Sequence, residues 1–294
     1  MKNPNPSKLA TLAASTLFLL SAYCVFAQSF MMRSSSSNTH SFFRRVTSNN
    51  SRMTSIQPSW ITPLVAADPR LVQFVRLSIS NEYAPSRTLT TSYGNTRGAG
   101  IIAGDRYEFD YIPPSYFQHN SVAQDGFGDM SVLAKYRIGS GDAEHGDYIV
   151  TAMLSHCFAT GSYSNGVLTD SFSPTLAGGL GLGRRYEVES KLGGTLPTGK
   201  IVSQGRSIAW NALVQIQATK HFWGELENNA TYYFNGRYDG KMQNFVTPAV
   251  FYVVRRKEWK PAHPFFIFDG GMQIATSRFH TYNHNLISEM RMLF

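Results

Sequence analysis

Residues 128–138 read GDMSVLAKYRI. Met130, Val132, Ala134, Tyr136 and Ile138 share one parity and Ser131, Lys135 and Arg137 the other, with Leu133 the single exception. That is the two-residue period of a β-strand with one apolar face. A soluble sheet gives the same pattern, so the fold class depends on how often it recurs and on what covers the apolar faces.

The pattern recurs along most of the chain. Residues 71–80 set Val75, Leu77 and Ile79 against Arg76, Ser78 and Ser80, and residues 106–112 set Tyr107, Phe109 and Tyr111 against Arg106, Glu108 and Asp110. In 148–158, Tyr148, Val150, Ala152, Leu154 and Phe158 oppose Thr151, Ser155 and Cys157; in 185–196, Tyr186, Val188, Leu192 and Leu196 oppose Arg185, Glu187, Glu189 and Lys191. Residues 208–218 and 222–234 alternate likewise, the second with Glu225 and Glu227 on its polar face, and so do 266–274, with Asp269, and 286–294, with Glu289 and Arg291. Residues 173–182 set Leu176, Leu180 and Leu182 against Thr175, Gly179 and Gly181, residues 88–102 are interrupted by glycines, and 245–255 is nearly all apolar, so the faces of that last segment stay unassigned.

These segments make about twelve strands with no helix-period stretch between them. The roomier gaps (113–124, 161–172, 197–206, 235–244) fall after odd-numbered strands, and the gaps at 183–184 and 219–220 are tight turns. Residues 139–146 and 256–264 are longer than such a scheme asks. The expected fold is all-β: a closed up-and-down antiparallel transmembrane β-barrel, with long outer loops and short periplasmic turns.

Composition supports lipid rather than a second sheet as the cover. Of 294 residues, 43% are hydrophobic, 13% aromatic and only 16% charged, against roughly 25% charged in an ordinary soluble domain. In a sandwich the outer faces are wet and heavily charged; here the polar faces carry modest charge of both signs. Apolar faces without partners must meet hydrocarbon, where every backbone donor and acceptor needs an internal partner. Tyr107, Tyr148, Tyr186, Trp210, Phe222, Tyr232 and Phe234, near segment ends, suit interfacial girdles. Arg137, Lys135, Arg185, Glu187, Glu189, Lys191, Glu225, Glu227, Asp269, Glu289 and Arg291 are the candidate lumen-lining residues, expected to pair across the lumen. The terminal Phe294 closes an alternating strand and is expected to act as the signal read by the barrel-assembly machinery.

The N-terminus reads as an export signal. Lys2 and Lys8 precede an apolar run over 9–26, and Val25 and Ala27 occupy the minus-three and minus-one places of a cleavage site. Cleavage after Ala27 removes Cys24 and leaves Cys157 alone, which excludes a disulfide framework. The net charge of +8 does not indicate nucleic acid. Two lysines leave with the signal, Arg33, Arg44, Arg45 and Arg52 lie in a Ser/Asn-rich tract, and an exported protein is remote from nucleic acid. The expected organisation is a signal over 1–27, a flexible Ser/Asn-rich periplasmic lead over 28–66 and a barrel over 67–294. The runner-up reading of the lead is a segment tucked into the barrel as a plug.

The chain also resembles a family. Gly126-Phe127-Gly128-Asp129 runs into Lys135-Tyr136-Arg137, and Ala159-Thr160-Gly161 and Pro197-Thr198-Gly199 follow at strand ends. This is similar to the G-x-G-D-x-x-x-x-x-K-Y-R strand and P-T-G turns of outer-membrane barrels assigned to the phenol meta-cleavage pathway, distant analogues of the long-chain fatty-acid transporter. Ala159 departs from the family's proline. The likeness covers roughly 71–294, its motifs are structural punctuation, and it implies passive passage of small apolar compounds across the outer membrane.

Other motifs point nowhere else. GTLPTGKI at 194–201 nearly spells a phosphate-binding loop but ends in Ile201 where a hydroxyl should hold magnesium. Gly178-Gly179-Leu180-Gly181-Leu182-Gly183 has the wrong spacing for a dinucleotide fingerprint; Gly179, Gly181 and Gly183 share the inner face, where missing side chains relieve crowding or leave room for a solute. His280 and His284 lack ligand-spaced companions for a metal. Ser155 and His156, being adjacent, face opposite ways and cannot form a nucleophile–base pair. The expected function is an outer-membrane channel or transporter whose partners are lipid and a small solute, with no cofactor, no metal and no catalytic residues. The alternatives are a non-conducting barrel with a surface-binding role and, last, a barrel-borne lipid hydrolase.

Overall fold

The computed structural model describes residues 55–94, 98–183, 185–254 and 265–294. The signal expected over 1–27 and most of the lead lie outside the described residues. Fifteen strand segments are found among the described residues. The first seven are β1 (Phe74–Tyr83), β2 (Leu89–Tyr93), β3 (Gly98–Ala103), β4 (Tyr107–Ile112), β5 (Tyr116–His119), β6 (Gly126–Phe127) and β7 (Met130–Gly141). The remainder are β8 (Tyr148–Phe158), β9 (Ser171–Leu182), β10 (Tyr186–Pro197), β11 (Arg206–Gln217), β12 (Phe222–Phe234), β13 (Met242–Val254), β14 (Phe265–Ala275) and β15 (His284–Leu293).

All neighbours are antiparallel, and β1 pairs with β15 over its whole length, from Phe74 opposite Leu293 to Tyr83 opposite His284, which closes the ring. Three staves are each built of two segments. β1 pairs with β2 at its far half and β3 at its near half; β3 and β2 in turn meet β4 and β5, which meet β7 and β6. The fifteen segments therefore make twelve staves, the expected number. The stave foreseen over 88–102 is broken at Gly94, whose φ of 98° only glycine adopts readily. Residues 113–124, foreseen as a loop, contain β5, which continues that stave between β2 and β6. One helical turn, α1 (Ile201–Gln204), sits in the loop over 198–205. The turn after β7 is shorter than foreseen, because a bulge between Arg137 and Gly139 lets the strand run on to Gly141.

The outward faces are apolar and uncovered. In the opening stretch Val132, Tyr136 and Ile138 are exposed while Lys135 and Arg137 are buried. At the end where β15 reaches the C-terminus, Tyr107, Tyr136, Tyr148, Tyr186, Phe222 and Tyr252 form an exposed ring, with Tyr107 and Tyr136 centroids 5.2 Å apart and Phe222 and Tyr252 4.9 Å apart. At the loop end Tyr116, Phe127, Phe172 and Tyr232 are exposed, and between the two rings lie Leu154, Leu176, Leu192, Val214, Leu226 and Val250. Trp210, foreseen in a girdle, instead stands mid-strand, where its Nε1 donates to Ser190 Oγ (3.0 Å) and so covers an outward polar group. Because a cation at a hydrocarbon midplane costs about 2–4 kcal/mol, Leu192→Arg is expected to lower folding stability by that amount in vesicles, measured by urea titration.

Candidate functional site: the lumen and the segment inside it

Ten of the eleven charged residues assigned to the inner face are buried, Lys135, Arg137, Glu187, Glu189, Lys191, Glu225, Glu227, Asp269, Glu289 and Arg291. Arg185 is the exception: it precedes β10, in the turn after β9, and is exposed. Strand parity carries a residue to a face only while the strand lasts.

What these charges meet differs from pairing across an open lumen. Lys135 Nζ pairs with Glu108 on the neighbouring strand (2.7 Å) and approaches Asp110 (3.9 Å). Arg291 contacts Glu289 of its own strand (2.9 Å) and Asp269 of the next (3.0 Å), and Glu289 also takes Arg76 (2.7 Å). These pairs run along the wall. The middle of the barrel is occupied by the chain between Ile56 and Gln73.

That segment touches the wall on all sides, mostly through its main chain. Leu64 N–H donates to Glu225 Oε1 (3.0 Å), and Val65 and Ala66 N–H donate to Glu227 (2.8 and 3.1 Å), all on β12. On the opposite wall, Val72 N–H donates to Glu108 on β4, Lys135 on β7 donates to Arg70 O (3.3 Å), and Thr151 on β8 donates to Pro69 O (2.5 Å). Arg291 donates to Thr62 O (2.5 Å) and Arg76 to Leu64 O. Within the segment, Arg70 grips Asp68 (2.6 Å), Trp60 O and Thr62 Oγ1 (3.1 Å), and Gln57 holds Leu71 through both amide atoms. A backbone taken out of water needs all its polar groups paired, and charged side chains pair them most strongly.

The expectation of a flexible lead over 28–66 therefore fails for its described part, and the plug form of it is the one adopted there. The physical reason is apolar. Ile61 and Leu64 are buried with Ala249, Phe251, Val253, Ile267 and Ile287 in one cluster, so the unassigned face of 245–255 is apolar on the inside because a plug covers it. The inner glycines are likewise taken. The Trp60 ring lies against Gly179, leaving no room for a Cβ there, and its Nε1 donates to Asp147 Oδ2 (3.2 Å), whose side chain fills the space at Gly181. Gly183 is not on the inner face at all but in a turn, at φ 77°. Arg76, Glu108 and Asp110 were absent from the candidate set although they share the polar parity of their strands; Trp60, Asp68 and Arg70 carried no signal beyond the apolar content of PSWITPLVAADPR.

Toward the loop end the inner face carries the polar groups Ser92, Ser171, Gln273 and Asn285, with Glu82 opposite Asn285. The mouth of the lumen is narrowed by loops. Asp129 accepts from Gly161 and Val167 N–H (2.8 and 2.6 Å), folding the 159–170 loop inward, and Tyr233, Tyr238 and Phe279 pack together beside it with Lys241 Nζ 4.7 Å from the Phe279 centroid. His280 is engaged by Ser277 O (2.9 Å) and Asn283 (3.0 Å), and His284 stacks on Tyr83. Ser155 donates to Val132 O while His156 stacks on Phe172, on the other face.

Among the described residues, two ladders between long strands miss pairs at a proline. The β13–β14 ladder skips Pro248 and Thr247, and plug residue Leu64 packs behind that gap at Gly271. The β9–β10 ladder skips the two positions opposite each other at Pro174 and Gly194 and at Ser173 and Thr195. Proline has no N–H to give, and this second gap adjoins a groove of about 490 Å³. The groove is lined by Ala152, Pro174, Leu176, Leu192, Gly194 and Ile208 of the outer face together with Met153, Thr175 and Gly193 of the inner one.

No protein-family model matches the sequence, and no curated protein does. Among solved structures, an outer-membrane channel from Pseudomonas putida F1 is similar at a TM-score of 0.53 and 12% identity, over 80% of this chain and 100% of that one. The NanC porin gives 0.49 at 11% identity, over 74% and 98%, and the KdgM porin 0.45 at 10%, over 75% and 99%. At such identity the likeness is one of fold, and the Pseudomonas channel carries it.

Two outcomes follow from the contacts. Arg291→Met leaves Asp269 and Glu289 short of a buried cation and is expected to cost about 3–5 kcal/mol in urea unfolding. Glu227→Ala strands the Val65 and Ala66 amides; trypsin is expected to cut after Arg70 in that variant while sparing it in the native chain, read by mass spectrometry.

Proposed function

We propose that the protein is an outer-membrane channel through which small apolar molecules pass, entering at the loop end and leaving sideways through the β9–β10 wall. Two exposed aromatic rings flanking an aliphatic belt suit a bilayer with its interfaces, and in that setting an export signal over 1–27, assembly through the C-terminal strand ending in Phe294, and contact with lipid are all required. The observation that carries the reading is the gap at Pro174 and Gly194. Along the axis the plug closes the route. The gap lies on the loop side of the plug's contact at Gly179, by roughly 16 Å along the strand at 3.3 Å per residue; Ser173 Oγ and Thr195 Oγ1 meet across it at 3.4 Å, so a solute must part that contact to reach the groove on the aliphatic belt. A solute that prefers hydrocarbon has a downhill path there, and a hydrated one does not.

The plug itself favours a second reading, a non-conducting barrel that binds through its outer loops. Deleting residues 161–169 separates the two: lost surface binding with unchanged solute uptake supports the second. The first is tested by sealing the wall with Pro174→Thr, which restores an N–H, and Gly194→Val, whose Cβ meets only Ser207 O at 3.3 Å. In cells whose outer leaflet is lipopolysaccharide, uptake of a small apolar fluorophore is expected to fall about tenfold, a barrier change of about 1.4 kcal/mol. Uptake equal to that of unsealed cells discards the lateral route, and uptake no faster than in cells lacking the protein discards the channel.

A further inference from the structure

Once the plug's contacts are assigned, one patch of wall is left without donors. Glu187 and Glu189 stand two apart on the inner face of β10, 1% and 3% exposed, and none of their four carboxylate oxygens accepts a hydrogen bond. Gln215, fully buried, lies directly opposite Glu187 in the β10–β11 ladder. Its amide nitrogen donates to Glu225 on β12 (2.6 Å), and its Oε1 too has no donor.

The groups around the patch do not fill the deficit. Lys191 Nζ is 3.7 Å from Glu189 Oε2, beyond hydrogen-bond reach. The Arg70 guanidinium is already engaged by Asp68, Trp60 O and Thr62. On the β9 side the residues facing Glu187 and Glu189 are Gly181 and Gly179, which bring no donor, and the space over them holds Asp147 and Trp60. Glu225 and Glu227 spend their oxygens on the plug and Gln215. Five donorless acceptor oxygens thus share one short stretch of dry wall with a single unspent ammonium. A buried carboxylate in that state is costly, and a missing ion is one of the few explanations such a cluster has.

We propose that Glu187, Glu189 and the Gln215 carbonyl hold a hard cation of the calcium class between the wall and the plug. Carboxylates at i and i+2 on one strand face are about 7 Å apart at their Cβ atoms, a span that two glutamate side chains close onto one ion at 2.3–2.6 Å. The ligands are all oxygen, which selects against zinc and copper. No group of three His, Cys, Asp or Glu ligands is found among the described residues; the third ligand here is an amide. The five protein oxygens leave calcium's six- to eight-fold shell to be completed by water, and two glutamates on one strand with an amide on the next do not make the regular octahedron magnesium demands. Such an ion would neutralise the carboxylates facing Arg70 and Asp68 and so fasten the returning limb of the plug. The site does not depend on the transport reading.

Terbium tests this on the refolded full chain, because the Trp60 ring lies beside Glu189 at Gly179 and would sensitise a bound ion. After chelation, tryptophan-excited terbium emission is expected to rise saturably, to be displaced by calcium, and to require at least about tenfold more terbium in Glu189→Gln and in Glu187→Gln. Trp60→Phe should remove most of the emission while leaving calcium binding by calorimetry intact. If the substituted chains do not fold, the native chain still decides: calcium must raise its thermal midpoint and protect the bond after Arg70 from trypsin. Emission that is not saturable, that is unchanged in both glutamine variants, or that persists in Trp60→Phe overturns the proposal, as does a native chain indifferent to calcium; protons or water then satisfy these oxygens.

Discussion

Everything in this molecule depends on the ladder between the first and last strands. Ten residue pairs, from Phe74 with Leu293 to Tyr83 with His284, join the ends of the sheet. Without them a sheet of this width has two raw edges, whose unpaired N–H and C=O groups neither hydrocarbon nor a lumen packed with protein could satisfy. Closure lets the outer face be apolar without aggregation at an edge, and it creates an enclosed inner face on which charge can be kept from water.

The inner face uses that enclosure to hold main chain. Glutamates accept three successive plug amides, arginines and a lysine donate to plug carbonyls, and the ion pairs of the wall hold those side chains in position. Side-chain packing adds to that grip on β13 to β15, where Ile61 and Leu64 sit against an apolar wall, on β3, where Leu71 meets Ile102, and on β9, where the Trp60 ring covers Gly179. The two prolines at which ladder pairs are missing differ in what lies behind them: Leu64 of the plug backs the gap beside Pro248, and the gap at Pro174 adjoins the outer groove.

Much of this was legible in residue order. Alternation in 128–138, 185–196 and 222–234 assigned the faces of Lys135, Glu187 and Glu227 correctly, because a strand turns each side chain over at every step. Arg185 was misplaced because alternation says nothing about where a strand begins. The split staves over 88–103 and 107–119 escaped notice because their breaks depend on how neighbours pair. Lead and plug could not be told apart because PSWITPLVAADPR has no period at all: it is held largely by its main chain, and main chain is the same in every sequence.

Residue order by itself determined the strands, their number, their two faces and the scarcity of charge that sends one face to an apolar solvent. Tertiary structure alone decided what the inner charges do. Whether Glu225 meets an arginine across a channel or the amide of Leu64 depends on what the ring encloses, and enclosure is a property of twelve strands together. Local alternation cannot encode it, since the same glutamate on the same strand would serve an open pore equally well.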